Sequence, residues 1–218
     1  MNEALAREEI CRVGRSLFER GYVHATAGNI SVRLDDGFLI TPTDACLGFL
    51  RPDALASVDL DGRHVGGERP SKTLALHRSI YDAQALLGKP ARCVIHTHST
   101  HCVALTLRAT GEELLPPITP YFVMKVGRVP VVPYHRPGDP RVGTLVAALI
   151  ARYAATPIRA VMLARLGPNV WHDTPAQAMA VLEELEETAR LWMLCDPRPQ
   201  PLSDAELEQL RQAFGAHW

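Results

Sequence analysis

Two tight turns constrain the fold of this chain more than any other feature. Asp35-Asp36 followed by Gly37 separates ISVRL from FLITPT, and Asp61-Gly62 divides SVDLDGRHV. Aspartate and glycine reach turn conformations that other residues resist, so such links between short apolar runs read as β-hairpins. Hairpins make antiparallel neighbours. Helical patterns alternate with these strands. Residues 2–20 place Leu5, Ile10, Val13 and Leu17 on one side of a helix, as the 3.6-residue period requires.

Further along, GGERPS is a loop that opens a helix from Lys72 to Gln84, with Ser71 as N-cap. ARCVIHTH is a buried strand, STHCVALTLR turns helical behind Ser99 as a cap, and VGRVPVVPY is another strand. A helix follows over 141–155, then RAVMLARLG as a strand ending in a Gly-Pro turn. The last two helices are TPAQAMAVLEELEETARLWMLC, capped by Thr174, and PLSDAELEQLRQAF, where Ser203 and Glu206 have capping-box spacing. The expected fold is α/β: α/β/α layers around a mixed or mostly antiparallel sheet, in one domain over residues 1–218.

Composition excludes several functions. Basic and acidic residues number 23 and 24, for a net charge of −1, so no nucleic-acid footprint is present. No run approaches the ~18 apolar residues of a membrane span, and the start MNEALAREEICRVGRSLFERG lacks a signal-peptide pattern. The five cysteines Cys11, Cys46, Cys93, Cys102 and Cys195 are scattered and odd in number, which favours reduced thiols in a cytoplasmic protein.

The sharpest chemical signal is VIHTHSTH. His96 and His98 are one residue apart, so on a strand they would face the same way and could share a metal ion. His101 reads as a third ligand, a partner of the ligands, or a plain helix-start residue. His77 reads as a packed core histidine, and His64, His135 and His217 as surface or loop residues. Cys93, three positions before His96, would face the opposite side of the strand. Three loops carry donors suited to an oxyanion: TAGN (Thr26–Asn29), TPT (Thr41–Thr43) and RPSK (Arg69–Lys72), the last at a helix N-terminus. Together with the histidines they point to a small phosphorylated ligand beside a metal.

The order TAGNIS, LITPT, RPSK, HTHSTH and a Gly-Pro pair after an apolar strand resembles the class II aldolase/adducin family. PPITPYFVMKVGRVPVVPYHRPGDP and EELEETARLW are similar to its 3-oxo-tetronate 4-phosphate decarboxylase branch, relatives of L-fuculose-phosphate aldolase. The resemblance implies the three-layer α/β/α form with a central, mainly antiparallel sheet, and a C4 homotetramer with sites between subunits. It implies zinc or another divalent ion held by histidines, stabilising an enediolate while a carbon–carbon bond breaks. It implies phosphate held by Gly28, Asn29, Thr43, Ser71 and Lys72. Tyr121 resembles residues that line the family's site near the subunit boundary, and equally suits interface packing.

The departures are as specific as the match. The family's general acid/base glutamate is Thr73 here, and its third metal histidine is Leu166. Asp44 stands where glycine is usual beside the phosphate. Leucine cannot coordinate a metal, and threonine is no carboxylate base. Three readings follow. The first is a lyase of decarboxylase or aldolase type, with a substitute ligand from His101, His24, His172 or a bound acid. The second is metal-free chemistry in the same cleft through Lys72, Arg69 or Arg165, on a different substrate. The third is an inactive family member serving as an oligomer or binding partner.

Overall fold

The two aspartate turns form hairpins. In the computed structural model, which describes residues 2–108 and 111–218, the first joins β1 (Asn29–Arg33) to β2 (Gly37–Ile40). The second joins β3 (Ala56–Asp59) to β4 (His64–Gly66). With β5 (Cys93–His96), β6 (Val131–Val132), β7 (Ala160–Leu163) and β8 (Gly167–His172) they form one sheet in the order β4-β3-β2-β1-β5-β8-β7-β6. Only the β6–β7 pair is parallel among these strands.

Alternation along the strands sorts two cores, as a period of two must. Ile30, Val32, Leu39, Cys93, Ile95, Met162 and Val170 face one side. There they meet α1 (Glu3–Glu19), α3 (Thr100–Thr106) and α5 (Pro175–Leu194). Phe38, Ile40, Val58, Val94, Val161 and Trp171 face the other side, under α2 (Leu74–Leu86) and α4 (Arg141–Arg152). The result is the expected α/β/α sandwich. A final helix, α6 (Asp204–Phe214), begins with the expected capping box of Ser203 and Glu206. Among the described residues no helix is long and apolar enough to cross a membrane.

Several local expectations are corrected. Residues 167–172 are a strand, not a turn after one: the reversal falls at Ala164–Leu166, and Gly167-Pro168 opens β8. The VGRVPVVPY strand shrinks to Val131–Val132, because Pro130 and Pro133 bound it and lack the N–H a ladder needs. Helix α2 starts at Leu74 with Thr73 at its boundary, so Ser71 is not the N-cap. Ser99 makes no side-chain cap to α3. The carboxylate of Glu186 on α5 does this instead, accepting from the amides of His101 (2.8 Å) and Cys102 (3.0 Å).

A buried polar relay joins the inner face of α2 to β1. Ser31 Oγ is 2.7 Å from His77 Nδ1 and 2.7 Å from the Tyr81 hydroxyl, which donates to the Ser31 carbonyl at 2.9 Å. Burial, and then nearby His96, push the His77 imidazole down to about 3 from an ordinary 6.5, so it is neutral when folded. Below pH 6.5 the unfolded chain binds a proton that the folded chain refuses until about pH 3. Stability therefore falls as pH drops through that window, by up to about 1.4 kcal/mol per unit from this group alone. A His77→Gln variant is expected to lose that share of the slope between about pH 6 and 4.5, in urea titrations with chelator present. An unchanged slope would show that His77 titrates normally.

Candidate active site

His96 ends β5 on the α2–α4 side of the sheet. Its register partners are Asn29 on β1 and Asn169 on β8, so three polar side chains form a row across three strands. All three are buried. Asn29 Oδ1, both amide atoms of Asn169 and His77 Nε2 have no hydrogen-bond partner in the protein. Buried polar atoms are normally paired, so this row is a place where polar groups of water or substrate belong.

The orientation of His96 is fixed. Its Nδ1 lies 2.9 Å from the Pro168 carbonyl, which can only accept, so the ring proton sits on Nδ1 and the Nε2 lone pair is free. That is the usual arrangement of a metal-ligating histidine with its outer partner. Burial, then the charge His98 would carry, push His96 down to about 4, against the bond to Pro168, and the ring is neutral at pH 7. His98 is also lowered, by burial and by His24.

His98 lies beyond the end of the strand, which corrects the expectation of one strand carrying both rings. The turn after His96 nevertheless returns it. Thr97 Oγ1 and Ser99 Oγ are 2.5 Å apart, the Thr97 amide donates to Pro168 at 3.3 Å, and the His96 and His98 ring centres are 5.1 Å apart. Two imidazoles on one tetrahedral zinc have ring centres about 5 Å apart, given Zn–N near 2.0–2.1 Å. The pair is thus spaced for shared ligation. As placed, however, no three His, Cys, Asp or Glu side chains among the described residues come together to hold an ion.

Close packing of glycines holds the surrounding loops. A Cβ on Gly28 would sit 2.8 Å from the His96 carbonyl, and one on Gly167 would sit 1.9 Å from the Thr97 carbonyl. The TPT and RPSK loops are tied by main-chain bonds, Thr43 to Arg69 at 2.9 Å and Ser71 to Thr41 at 3.2 Å. Thr41 is spent on the fold, its hydroxyl accepting from the Ile30 amide at 3.2 Å. Ser71 Oγ is 2.8 Å from Thr73 Oγ1 at the start of α2, where the Leu74 amide donates to the Ser71 carbonyl at 3.2 Å, and Lys72 is exposed beside them. Hydroxyls, amides and a cation at a helix N-terminus suit a phosphate.

The departures from the family pattern lie at the rim. Ala25 (φ 48°), Asp44 (φ 57°) and Arg165 (φ 65°) are the non-glycine residues with left-handed backbone among those described, and each borders a site loop. The left-handed turn at Asp44 explains why glycine is usual there, and aspartate is among the few residues that tolerate it. Leu166 is half-buried against the α2–α4 core, and Arg165 is exposed.

The remaining candidates are placed apart from the pair. His101 Nδ1 is held 2.8 Å from Glu186. His172 sits at the far end of β8 opposite Cys93, lining a 660 Å³ cleft with Arg92 and Arg159. Tyr121 precedes a π-helical turn over Phe122–Val126 and is 61% exposed. Sequence reasoning missed Pro168, Asn169 and Glu186. Glu186 alone left a signal, since it falls on the buried stripe of α5 beside Leu182, Leu185 and Ala189.

Comparison with known proteins identifies the family and the fold. Residues 8–193 match the model of the Class II Aldolase and Adducin N-terminal domain. A 3-oxo-tetronate 4-phosphate decarboxylase from Cupriavidus necator is 54% identical, with 99% of each chain covered. One from Escherichia coli K12 is 39% identical over 96% of each. Among solved structures, YgbL from Klebsiella pneumoniae, a putative aldolase/epimerase/decarboxylase, superposes with a TM-score of 0.87 at 40% identity, covering 97% of this chain and all of that one. An L-fuculose 1-phosphate aldolase superposes at 0.80 with 26% identity, covering 99% of this chain and 98% of that one.

Proposed function

The chain belongs to the class II aldolase and adducin family, and from that premise we propose that it is a decarboxylase of 3-oxo-tetronate 4-phosphate or a close phosphorylated hydroxy-keto acid. The observation that carries this reading is His96: buried, neutral, clamped at Nδ1 and paired with His98 at ligation spacing, beside a helix N-terminus suited to phosphate. His96 and His98 would hold a divalent ion, and imidazole donors suit zinc. When bound, such an ion supplies a Lewis acid for a ketone oxygen on which negative charge builds.

The chain's own residues divide the remaining work. Gly28, Asn29, Thr43, Ser71 and Lys72 bind the phosphate and thereby set the acid's position over His96. The substrate's carboxylate lies two carbons from its ketone, so the bond between C1 and C2 can break without prior proton removal. The bonding pair moves toward the ketone oxygen, carbon dioxide leaves, and C2 takes up a proton. No carboxylate base is required, and a neutral Thr73 avoids repelling the anionic substrate. Thr73 therefore suits a decarboxylase better than an aldolase. Tyr121, exposed on one chain, would meet the site only across a subunit boundary of a homo-oligomer, which we take to be a C4 tetramer. A cytoplasmic setting, supported by five free cysteines, and a single domain over residues 1–218 complete the reading.

The test is release of carbon dioxide from synthetic 3-oxo-tetronate 4-phosphate by zinc-supplemented protein. The unphosphorylated acid is expected to react about 100-fold less efficiently, because lost phosphate contacts cost roughly 3 kcal/mol in kcat/KM. No release from either acid would end the proposal. Equal rates would remove the phosphate loops from it.

A further inference from the structure

We propose that a basic cleft at the end of the sheet remote from His96 binds a small phosphorylated anion, separately from the phosphate loops. The cleft has a volume of 660 Å³ and is lined by Lys89, Arg92, Arg159, His172 and His217, over a floor of Ile158 and Trp171. Sites for small molecules combine such an apolar floor with a few convergent polar groups. Binding there requires neither metal nor turnover.

Four separate parts of the chain build the cleft. Lys89 and Arg92 come from the turn between α2 and β5, Arg159 from the approach to β7, His172 from the end of β8, and His217 from the segment after α6. That last segment is anchored by Trp218, whose ring centre lies 5.7 Å from that of Phe122 and 5.1 Å from the Arg128 guanidinium. The floor is braced as well. With its side-chain amide in the orientation that satisfies both atoms, Gln84 donates to the Lys89 carbonyl and accepts from the Trp171 indole, each at 3.1 Å.

The charge is one-sided. The whole chain carries −1, yet the cleft gathers Lys89, Arg92 and Arg159 against a single carboxylate, Asp173. No ion pair among the described residues engages Lys89 or Arg159, and Arg92 meets only the exposed Asp35, at 3.3 Å. Arg159 is oriented instead by the Lys125 carbonyl, to which it donates at 3.3 Å. His172 senses this field: burial, and then Arg159, lower its imidazole from the ordinary 6.5, with Asp173 opposing. The negative end of α2 adds little. There the Gln84 carbonyl accepts from the Leu87 and Lys89 amides, and the Ala85 carbonyl from that of Gly88. Unpaired cations around a concave, partly apolar wall attract polyanions, and guanidinium forks match phosphate oxygens.

A single small anion cannot reach both this cleft and the phosphate loops. Helix α2 has the RPSK loop at its start and the cleft at its end, and its 13 residues span about 20 Å. His172 lies three residues past Asn169 on β8, about 10 Å along the strand.

Pyrophosphate is the probe, titrated by calorimetry at fixed ionic strength into the wild type and four variants. Binding is expected to weaken at least about 10-fold in Arg159→Met and about 100-fold in Lys89→Met/Arg159→Met, as lost charge-assisted hydrogen bonds require. Arg63→Met removes the same charge from the exposed β3–β4 hairpin and should stay within about twofold of the wild type. Lys72→Met removes a cation of the phosphate loops, and the binding lost in the double variant should survive it. All the substituted side chains are exposed, so far-UV circular dichroism should be unchanged. ADP and glycerol 3-phosphate then compete with pyrophosphate, and the one acting at lower concentration separates a nucleotide from a sugar-phosphate source. A wild type that binds no pyrophosphate would overturn the proposal. So would undiminished binding in the double variant, equal losses in it and Arg63→Met, or a loss confined to Lys72→Met. Failure of both competitors would exclude a metabolite site and overturn it too.

Discussion

Replacing His96 with alanine is expected to lower decarboxylase turnover by roughly 10³-fold or more while the chain stays folded. A Lewis acid contributes several kcal/mol to the stabilisation of a developing oxyanion, and about 4 kcal/mol corresponds to 10³ in rate. His96 carries the best-defined ligand geometry, with Nδ1 held by the Pro168 carbonyl at 2.9 Å and Nε2 directed away from that bond. The substitution leaves that carbonyl one donor fewer, although the Thr97 amide still reaches it at 3.3 Å. The stability loss should therefore stay near 1–3 kcal/mol, the usual cost of removing one buried hydrogen-bonded group. Rates are measured under saturating zinc, and stability by urea unfolding. Metal-free chemistry through exposed cations predicts the reverse order. In that case Lys72→Met and Arg165→Met would abolish turnover, and His96→Ala would cost less than about 10-fold. A loss that small would end the metal-dependent reading.

The parts of this molecule legible in its sequence are those decided locally. Aspartate-bearing turns fix the hairpins locally, and Ser203 and Glu206 close a capping box within one helical turn. The parts that were not legible are decided across the fold. Ser99 has the composition of a helix cap, yet Glu186, 85 positions later than His101, takes the amides because α5 packs on α3. Gly167-Pro168 has the composition of a turn, yet it lies inside the sheet. Strand β8 is sandwiched between β5 and β7, and there the Pro168 carbonyl accepts from His96. The site divides in the same way. The histidine pair and the donor loops are visible as residue types. That Asn29, His96 and Asn169 form one buried row, and that His24 faces His98, depends on register and loop path alone.

Register also makes Gly167 the glycine where an added methyl would come closest to other atoms. The expected outcome of Gly167→Ala is a loss of about 4 kcal/mol or more in unfolding free energy, beyond the range of ordinary point substitutions. The added Cβ would lie 1.9 Å from the Thr97 carbonyl oxygen, 2.9 Å from its carbon and 3.2 Å from the Cα of His98. All three are backbone atoms, so no side-chain rotation relieves the contact. The residue's φ of 144° adds strain for any L side chain. Either β8 must lift from the segment after β5, or that segment must move, and it is the segment that returns His98 to His96. Gly138→Ala is the matched control: its φ of 77° is also left-handed, but nothing lies within 4 Å of the new Cβ. That variant should lose only about 1–2 kcal/mol, the conformational cost by itself. The difference between the two in urea unfolding isolates the collision from the strain. Zinc affinity should fall with stability in Gly167→Ala and stay unchanged in Gly138→Ala. Equal stability losses would mean that the Thr97–His98 segment yields freely, and the ligand pair would then be held by something other than this packing.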